Sequence, residues 1–170
     1  MQAVARFDAS MNRPVIREIS ASDRNWVLEQ HKEIYMLGHG FDDSFETLVA
    51  KILDDFFDKH DSTYERGWIA EEDGRPLGAV FCMRIDERTA QLRLFFLISE
   101  ARGKGLGREM MQTLIRFAKI AGYQEIRLWT HQSHEAACAL YRATGWRCIE
   151  EKPTVSFGKN EVIESYVLGL

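Results

Sequence analysis

The stretch Arg102-Gly103-Lys104-Gly105-Leu106-Gly107-Arg108 joins two segments of different periodicity. Before it, the run from Ala90 to Ser99 is mostly apolar, which predicts a buried strand. After it, the apolar residues from Leu106 to Ala121 share one face of a predicted amphipathic helix. A helix N-terminus exposes unpaired N–H groups with a partial positive charge, and glycines let the backbone approach a bulky anion. The sequence therefore predicts a polyphosphate site at this strand-to-helix turn.

The charge around this turn supports an anionic ligand. Residues 102–119 contain five basic residues and one acidic residue, whereas the whole chain carries a net charge of −4. The glycine spacing is G-x-G-x-G, which differs from the G-x-G-x-x-G of dinucleotide-binding sites and from the G-x-x-x-x-G-K-[ST] of P-loop proteins. Both of those classes are disfavoured, while an ordinary strand-to-helix turn with solvated cations stays an open alternative.

The composition argues against several broad classes of protein. The chain has 170 residues, of which 45% are hydrophobic and 28% charged, and this predicts one domain over residues 14–170 behind a flexible tail at residues 1–13. The acidic balance disfavours nucleic acid as a partner, and no stretch approaches the ~18–20 apolar residues of a membrane span. The cysteines form no C-x-x-C pair, which indicates reduced thiols in a cytoplasmic protein rather than a disulfide framework or a cysteine zinc site.

The remaining periodicity predicts an α/β fold with a mixed sheet. The elements follow the order strand, two helices, three strands, helix, strand, helix and two strands. The clearest helix lies at residues 45–57, where apolar side chains recur at i, i+3, i+4 and i+7. Residues 152–160 are predicted to form a loop between the last two strands.

A second motif lies on the last predicted helix and just beyond it, Ala137-x-x-Leu140-Tyr141-x-x-x-Gly145-Trp146. Together with Arg102-x-x-Gly105-x-Gly107, it resembles the signature motifs of the GCN5-related N-acetyltransferases (the GNAT family), and the predicted order of elements is similar to that fold. Residues 41–170 further resemble the acetyltransferase domain of bacterial fusions with MarR-type regulators, without their DNA-binding half. The resemblance implies a mostly antiparallel sheet of six to seven strands, splayed in the middle and flanked by about four helices.

The resemblance also implies an activity and an acetyl-CoA site. The expected reaction moves an acetyl group from acetyl-CoA to a primary amine of a small molecule or peptide, by direct transfer in a ternary complex and without a metal. In the family, the pantetheine arm pairs with the splayed strand, and the diphosphate lies on the glycine-rich loop. The matching residues here are Phe95, Phe96 and Leu97 for the arm, and Arg102, Gly103, Lys104, Gly105, Leu106, Gly107 and Arg108 for the diphosphate.

Two residues near the second motif are candidates for further roles in the site. Tyr141 matches the family's general acid, since a phenol with a pKa of about 10 can protonate the departing thiolate, although a plain core tyrosine is the alternative. His134 stands where the family usually has Asn, and its imidazole can donate one hydrogen bond to the cofactor or the backbone. His131 and His134 form an H-x-x-H pair, but no carboxylate at ligand spacing accompanies them, so no metal site is predicted.

The sequence defines the acceptor side less sharply. Residues 23–73 contain fourteen acidic and five basic residues, which would form an acidic wall that attracts a cationic amine, or would simply line outer helix faces. Four residues fall in segments that border this side, but the sequence does not choose a general base among them. They are His39, Asp42, Asp43 and Glu87.

Two further expectations concern function and assembly. A non-catalytic acyl-CoA sensor or docking module would keep the same loop without turnover, and it is the alternative to the enzyme. Many folds of this kind pair through exposed sheet edges, and the strand predicted at residues 162–170 offers such an edge for a homodimer.

Overall fold

The computed structural model describes residues 12–170, which form a seven-stranded sheet with helices on both faces. The strands are β1 (Val15–Glu18), β2 (Arg66–Glu72), β3 (Arg75–Arg84), β4 (Thr89–Leu97), β5 (Glu125–His131), β6 (Arg147–Ser156) and β7 (Lys159–Gly169). They lie in the order β1-β2-β3-β4-β5-β7-β6, and β4 and β5 are parallel while the other neighbours are antiparallel. The helices are α1 (Arg24–His31), α2 (Asp43–Lys59), α3 (Leu106–Ile120) and α4 (Glu135–Ala143). The predicted mixed α/β fold is confirmed. Apart from Asn12 and Arg13, the predicted tail lies outside the described residues.

Two apolar cores lie on opposite faces of the sheet, because successive residues of a strand point to opposite faces. On one face, Val80 of β3 belongs to a core with Met110 of α3. On the other face, Phe81 belongs to a core with Val27 of α1 and Leu53 of α2. All five side chains are completely buried. The middle of the sheet is therefore covered on both sides, as the apolar run of β3 predicts.

Strands β4 and β5 separate after a short parallel ladder. Their pairing runs only from Thr89 opposite Glu125 to Gln91 opposite Arg127. The rest of β4 pairs with β3 alone, through a bulge at which Leu94 has a φ of 49°, a left-handed conformation that side chains rarely adopt. The separation leaves one backbone edge of β4 without a strand partner. The sheet is thus splayed in the middle, as the resemblance implies.

The end of the chain differs from the sequence-based expectation in two ways. Residues 152–160 are not a loop, because β6 and β7 extend to a tight turn at Phe157-Gly158, where φ is 50° and 78°. Tight hairpin turns of this kind usually carry Asn-Gly or Asp-Gly, and the aromatic residue concealed the signal. The predicted edge at residues 162–170 is also wrong, since β7 pairs with β5 on one side and β6 on the other. The edges of the described sheet are β1 and β6.

The cysteines are free thiols, and Cys82 and Cys138 are buried. Burial raises the pKa of Cys82 to about 12, so this thiol stays protonated at neutral pH. Over residues 12–170, no helix has both the length and the apolar character needed to cross a membrane.

The buried His31 makes the stability of the fold depend on pH. The residue is only 2% exposed, its Nδ1 donates to the Val27 carbonyl at 2.8 Å, and its ring packs edge-on against Phe96. Burial lowers its pKa to about 4, from about 6.5 in an unfolded chain. The folded state therefore resists protonation of this ring, and its stabilising contribution is complete above pH 6.5 and is lost as the pH falls towards 4.

We expect the His31→Gln variant to show a weaker acid dependence than the wild type. Glutamine keeps a hydrogen-bond donor but does not titrate. Between pH 7 and pH 5, the free energy of unfolding from urea titrations should fall by about 2 kcal/mol more in the wild type than in the variant. Equal losses in the two proteins would show that His31 does not carry the dependence.

Candidate functional site

A cleft of about 510 Å³ opens where β4 separates from β5, and we call it the central cleft. Its walls come from four parts of the chain: the segment after α1, the end of β4, the glycine-rich loop before α3, and the start of α4. The lining residues are Ile34, Tyr35, His39, Phe95, Phe96, Leu97, Arg102, Gly103, Gly105, Gly107, Arg108, Ser133, His134, Glu135, Ala136, Ala137 and Leu140. One continuous space therefore joins the glycine-rich loop to the segment between α1 and α2.

Most residues assigned to the cofactor lie on this cleft. The two exceptions are Lys104 and Leu106, whose side chains line a neighbouring hollow of about 370 Å³ with Arg75 and Glu109. Leu106 begins α3 and is 6% exposed, because its apolar side chain joins the core beneath the helix. The lysine therefore does not add its charge to the central cleft, whereas Arg102 and Arg108 line it.

The glycine-rich loop brings α3 close to the floor of the central cleft. Gly105 lies just before the helix with a φ of 81°, and its carbonyl accepts the first helical hydrogen bond from the Glu109 N–H at 3.1 Å. A Cβ on Gly107 would lie 3.3–3.4 Å from Leu97, Leu140 and Phe95, so the glycine permits a close approach there. The first N–H groups of α3 have no partner within the helix and carry a partial positive charge at this end of the cleft.

Arg102 is held at the mouth of the loop rather than left free. Its Nε donates to the carbonyl of Leu97, the last residue of β4, at 3.0 Å. The contact fixes the guanidinium next to the splayed strand. Charge from Arg102, Arg108 and the helix end is thus concentrated where β4 passes into α3, which suits a diphosphate.

Tyr141 lies behind the wall of the cleft rather than on it. The side chain is 3% exposed, and its ring centroid is 6.4 Å from Phe95, which lines the cleft, and 5.6 Å from Tyr166. Burial, reinforced by the neighbouring Tyr35, raises the pKa of its phenol well above the usual range, so the hydroxyl remains a donor at neutral pH. Tyr166 is less available as a donor, because its own hydroxyl is bound to Glu164.

His134 belongs to a group of rings that the sequence did not predict as a unit. Its ring centroid lies 4.7 Å from Tyr35 and 4.6 Å from His39. Burial and the two neighbouring histidines lower the pKa of His134 to about 3, and its Nε2 is buried without a hydrogen-bond partner in the described structure. The wall opposite β4 is therefore aromatic and uncharged at neutral pH. His39 was among the candidates of the sequence, whereas Tyr35 was missed.

The β6–β7 hairpin holds the segment that carries His39. The Phe157 ring packs 5.0 Å from Phe41, and the Phe157 carbonyl accepts from the Asp42 N–H at 3.0 Å. Lys159 Nζ donates to the carbonyl of His39. The hairpin tip and the loop after α1 therefore form one connected wall.

Of the two alternatives for the acidic residues at positions 23–73, the structure favours outer helix faces over an acidic wall. None of these residues lines the central cleft, and Glu135 is the one acidic lining residue in the described structure. Several acidic residues at positions 23–73 form ion pairs at the protein surface, such as Asp54 with Arg24 at 2.6 Å and Glu46 with Lys32 at 3.1 Å. The spacing of the acidic residues along α2 is consistent with a position on the outer face of that helix.

The remaining candidates for a general base have other places in the fold. Asp42 caps α2 by accepting from the Ser44 N–H at 3.0 Å, and Asp43 is an exposed residue in the first turn of that helix. Glu87 lines a separate surface hollow with Arg88 and Gln124. Of the four, only His39 lines the central cleft. Within residues 12–170, no three His, Cys, Asp or Glu side chains are arranged to hold a metal ion.

Comparison with known sequences agrees with the motifs. Residues 24–146 match the profile of the Acetyltransferase (GNAT) family. The chain is 34% identical to human N-acetyltransferase 8 over 91 residues, which cover 49% of this chain and 40% of that protein. It is 32% identical to rat N-acetyltransferase family 8 member 3 over 91 residues, or 51% of this chain and 40% of that protein. The match thus spans less than half the length of these curated relatives.

Comparison with solved structures agrees with the fold. The structure of yncA, a putative acetyltransferase from Salmonella typhimurium with its cofactor acetyl-CoA, superposes with a TM-score of 0.77 at 19% identity, covering 93% of this chain and 94% of that one. Spermidine N-acetyltransferase from Vibrio cholerae, in complex with CoA and spermine, gives 0.70 at 18% identity, covering 92% and 95%. At these identities the likeness is one of fold.

Proposed function

The chain belongs to the acetyltransferase (GNAT) family, and on that premise we propose that it moves an acetyl group from acetyl-CoA to a primary amine of a small molecule or peptide. The observation that carries the proposal is the central cleft, in which the glycine-rich loop and the splayed edge of β4 share one space with an uncharged ring wall. A donor on one side and an acceptor on the other would meet there. Holding the amine and the thioester together in a ternary complex would by itself raise the rate of direct transfer.

The residues present fit coenzyme A in chemical type. The N–H groups at the start of α3, with Arg102 and Arg108, would hold the diphosphate. The free backbone edge of β4 at residues 95–97 would pair with the amides of the pantetheine arm, as a strand pairs with its neighbour. When bound, acetyl-CoA supplies an activated thioester. Ala137 and Leu140 of α4 line this part of the cleft with apolar side chains, which would exclude water around a bound arm.

Tyr141 would donate its proton, or a hydrogen bond, to the sulfur as the C–S bond breaks. Its raised pKa keeps it in the donor form across the working pH range. Because the ring sits behind Phe95, contact with the sulfur requires the thioester to enter deeply between β4 and α4. Tyr141 would therefore act as the general acid only when acetyl-CoA is bound.

The proposal is tested by measuring thiol release from acetyl-CoA with a panel of amines, alongside calorimetry of CoA binding. Amine-dependent thiol release, with an acetylated product seen by mass spectrometry, is the expected result. Tight acetyl-CoA binding without acetylation of any amine would favour the acyl-CoA sensor instead. Failure to bind CoA would overturn both, and preferential binding of ATP or NAD would indicate a nucleotide-binding protein.

Three finer features accompany this proposal. We expect the cytoplasm as the location, because the cysteines are unpaired. A homodimer would have to form through the β1 or β6 edge, or through a face of the sheet, since β7 is internal. The likeness of residues 41–170 to the acetyltransferase domain of MarR-type fusions stays a prediction.

A further inference from the structure

The His39 ring is fixed in the central cleft by contacts on several sides. The backbone of His39 is held by two hydrogen bonds: its N–H donates to the Tyr35 carbonyl at 3.2 Å, and its carbonyl accepts from Lys159 Nζ. The ring stacks on Tyr35 with 5.7 Å between centroids and meets the His134 ring edge-on at 4.6 Å. It is half-buried, so one side is packed while the other can meet a ligand in the cleft.

The groups around His39 keep its ring neutral. Burial lowers its pKa below the usual value, and the positive charges of Lys159 on β7 and Arg102 before α3 lower it further. Glu161 on β7 raises the pKa of His39, with an influence smaller than that of burial or Lys159 and larger than that of Arg102. The other titratable neighbours, Tyr35 after α1, His131 on β5 and His134 before α4, are uncharged at neutral pH because burial raises the pKa of the phenol and lowers those of the imidazoles.

His134 and His131 are less suited to receive a proton. In each of them Nε2 is buried with no hydrogen-bond partner in the described structure. A charge placed on either ring would be poorly solvated, and the pKa of His134 is lowered to about 3. His39 combines a free lone pair, access to the cleft and partial solvation. These are the properties that a general base requires.

We propose that His39 is the general base that takes the proton from the acceptor amine, an inference that rests on the acetyl transfer proposed above. An ammonium group gives one proton to the neutral imidazole, which passes it to water. The free amine then attacks the thioester carbon, the new C–N bond forms, and the C–S bond breaks. In this step the nitrogen loses its second proton to water. The sulfur receives a proton from Tyr141, and the phenol then regains one from water, so the protons balance.

The inference predicts how the amine's basicity changes the effect of a substitution. Toward a strongly basic alkylamine, His39→Gln should lower kcat/KM by roughly tenfold or more, less than many general bases because water takes over part of the role. Toward an aniline, which is uncharged at neutral pH, the variant should react almost as fast as the wild type. The equilibrium binding of CoA should be the same in both.

The pH profile separates a proton-transfer role from a structural one. In the wild type, kcat/KM for the alkylamine should fall at low pH as His39 becomes protonated, with the fall lying below the usual histidine pKa of about 6.5. Above that fall the wild-type rate should level off, whereas in His39→Gln no level region should appear below the pKa of the alkylamine, because kcat/KM then rises about tenfold per pH unit with the fraction of free amine. The matched control is His60→Gln, because His60 stacks on Phe56 at 4.3 Å and lies outside the cleft lining.

The results would distinguish failure of the proposed acetyl transfer from failure of the His39 assignment. If the wild type acetylates no amine, the proposed function fails and the base assignment fails with it. If the wild type is active and His39→Gln keeps the wild-type pH profile with the same level region, the base assignment alone is refuted. An equal loss with the alkylamine and the aniline, or weaker CoA binding in the variant, would also refute it, since a merely positional residue would have that effect.

Discussion

Replacing Tyr141 by Phe is expected to lower kcat by roughly 100-fold or more, the usual effect of removing a general acid. The change deletes one hydroxyl and leaves the ring in its place between Phe95, Trp146 and Tyr166. Burial raises the pKa of this hydroxyl, and no hydrogen bond within residues 12–170 holds it, so the fold does not depend on it. The free energy of unfolding should therefore stay within about 1 kcal/mol of the wild-type value.

The control for this variant is Tyr123→Phe. Tyr123 is also buried, at 5% exposed, but its hydroxyl donates to the Tyr64 carbonyl at 2.8 Å, outside the central cleft. Its removal should reduce the free energy of unfolding by about 1 kcal/mol and leave kcat unchanged. Steady-state thiol release should therefore separate the two variants, and urea unfolding should show that both are folded. A Tyr141→Phe enzyme with wild-type kcat at every pH would remove the general-acid role.

The parts of the fold that the sequence predicted are those fixed by local chemistry. The apolar stripe of α2 and the double-faced apolar run of β3 each determine their own secondary structure, because burial of one stripe or of two faces leaves a periodic pattern. The glycine-rich loop could likewise be found by spacing, since both the positive φ at Gly105 and the close approach at Gly107 favour glycine there. Local signals of this kind also carried the family resemblance.

The ring wall of the cleft could not be predicted in the same way. Tyr35 and His39 are close in the chain, but His134 comes from a distant segment, and the three rings meet only in the folded sheet. The β6–β7 hairpin adds Phe157, whose left-handed conformation is unusual for an aromatic residue and hid the turn. For the same reason, the number of acidic residues at positions 23–73 could not show whether they line the cleft or the outer helix faces. The acidic residues are frequent in the sequence, but their direction depends on helix packing.

Gly105→Asp is expected to weaken CoA binding by roughly 100-fold while leaving the fold intact. A carboxylate at this position would lie close to the diphosphate, and two unit charges ~5 Å apart near a protein surface repel by about 3 kcal/mol, which corresponds to about a hundredfold in Kd. The structure has room for the side chain, since a Cβ there would meet nothing within 4 Å. A negative charge at a helix N-terminus also stabilises the helix, so α3 itself should not suffer.

Gly122→Asp is the matched control, because it repeats the same change at the far end of the same helix. Gly122 has a φ of 91°, and a Cβ there, as at Gly105, would meet nothing within 4 Å, so both variants accept similar backbone strain. The 15 residues of α3 place the two sites about 22 Å apart. Calorimetry should show near wild-type CoA affinity for Gly122→Asp, with a slightly lower stability because its charge opposes the helix dipole. Equal affinities in the two variants would mean that the diphosphate does not lie on the loop, and the acetyl-CoA site would then have to be placed elsewhere.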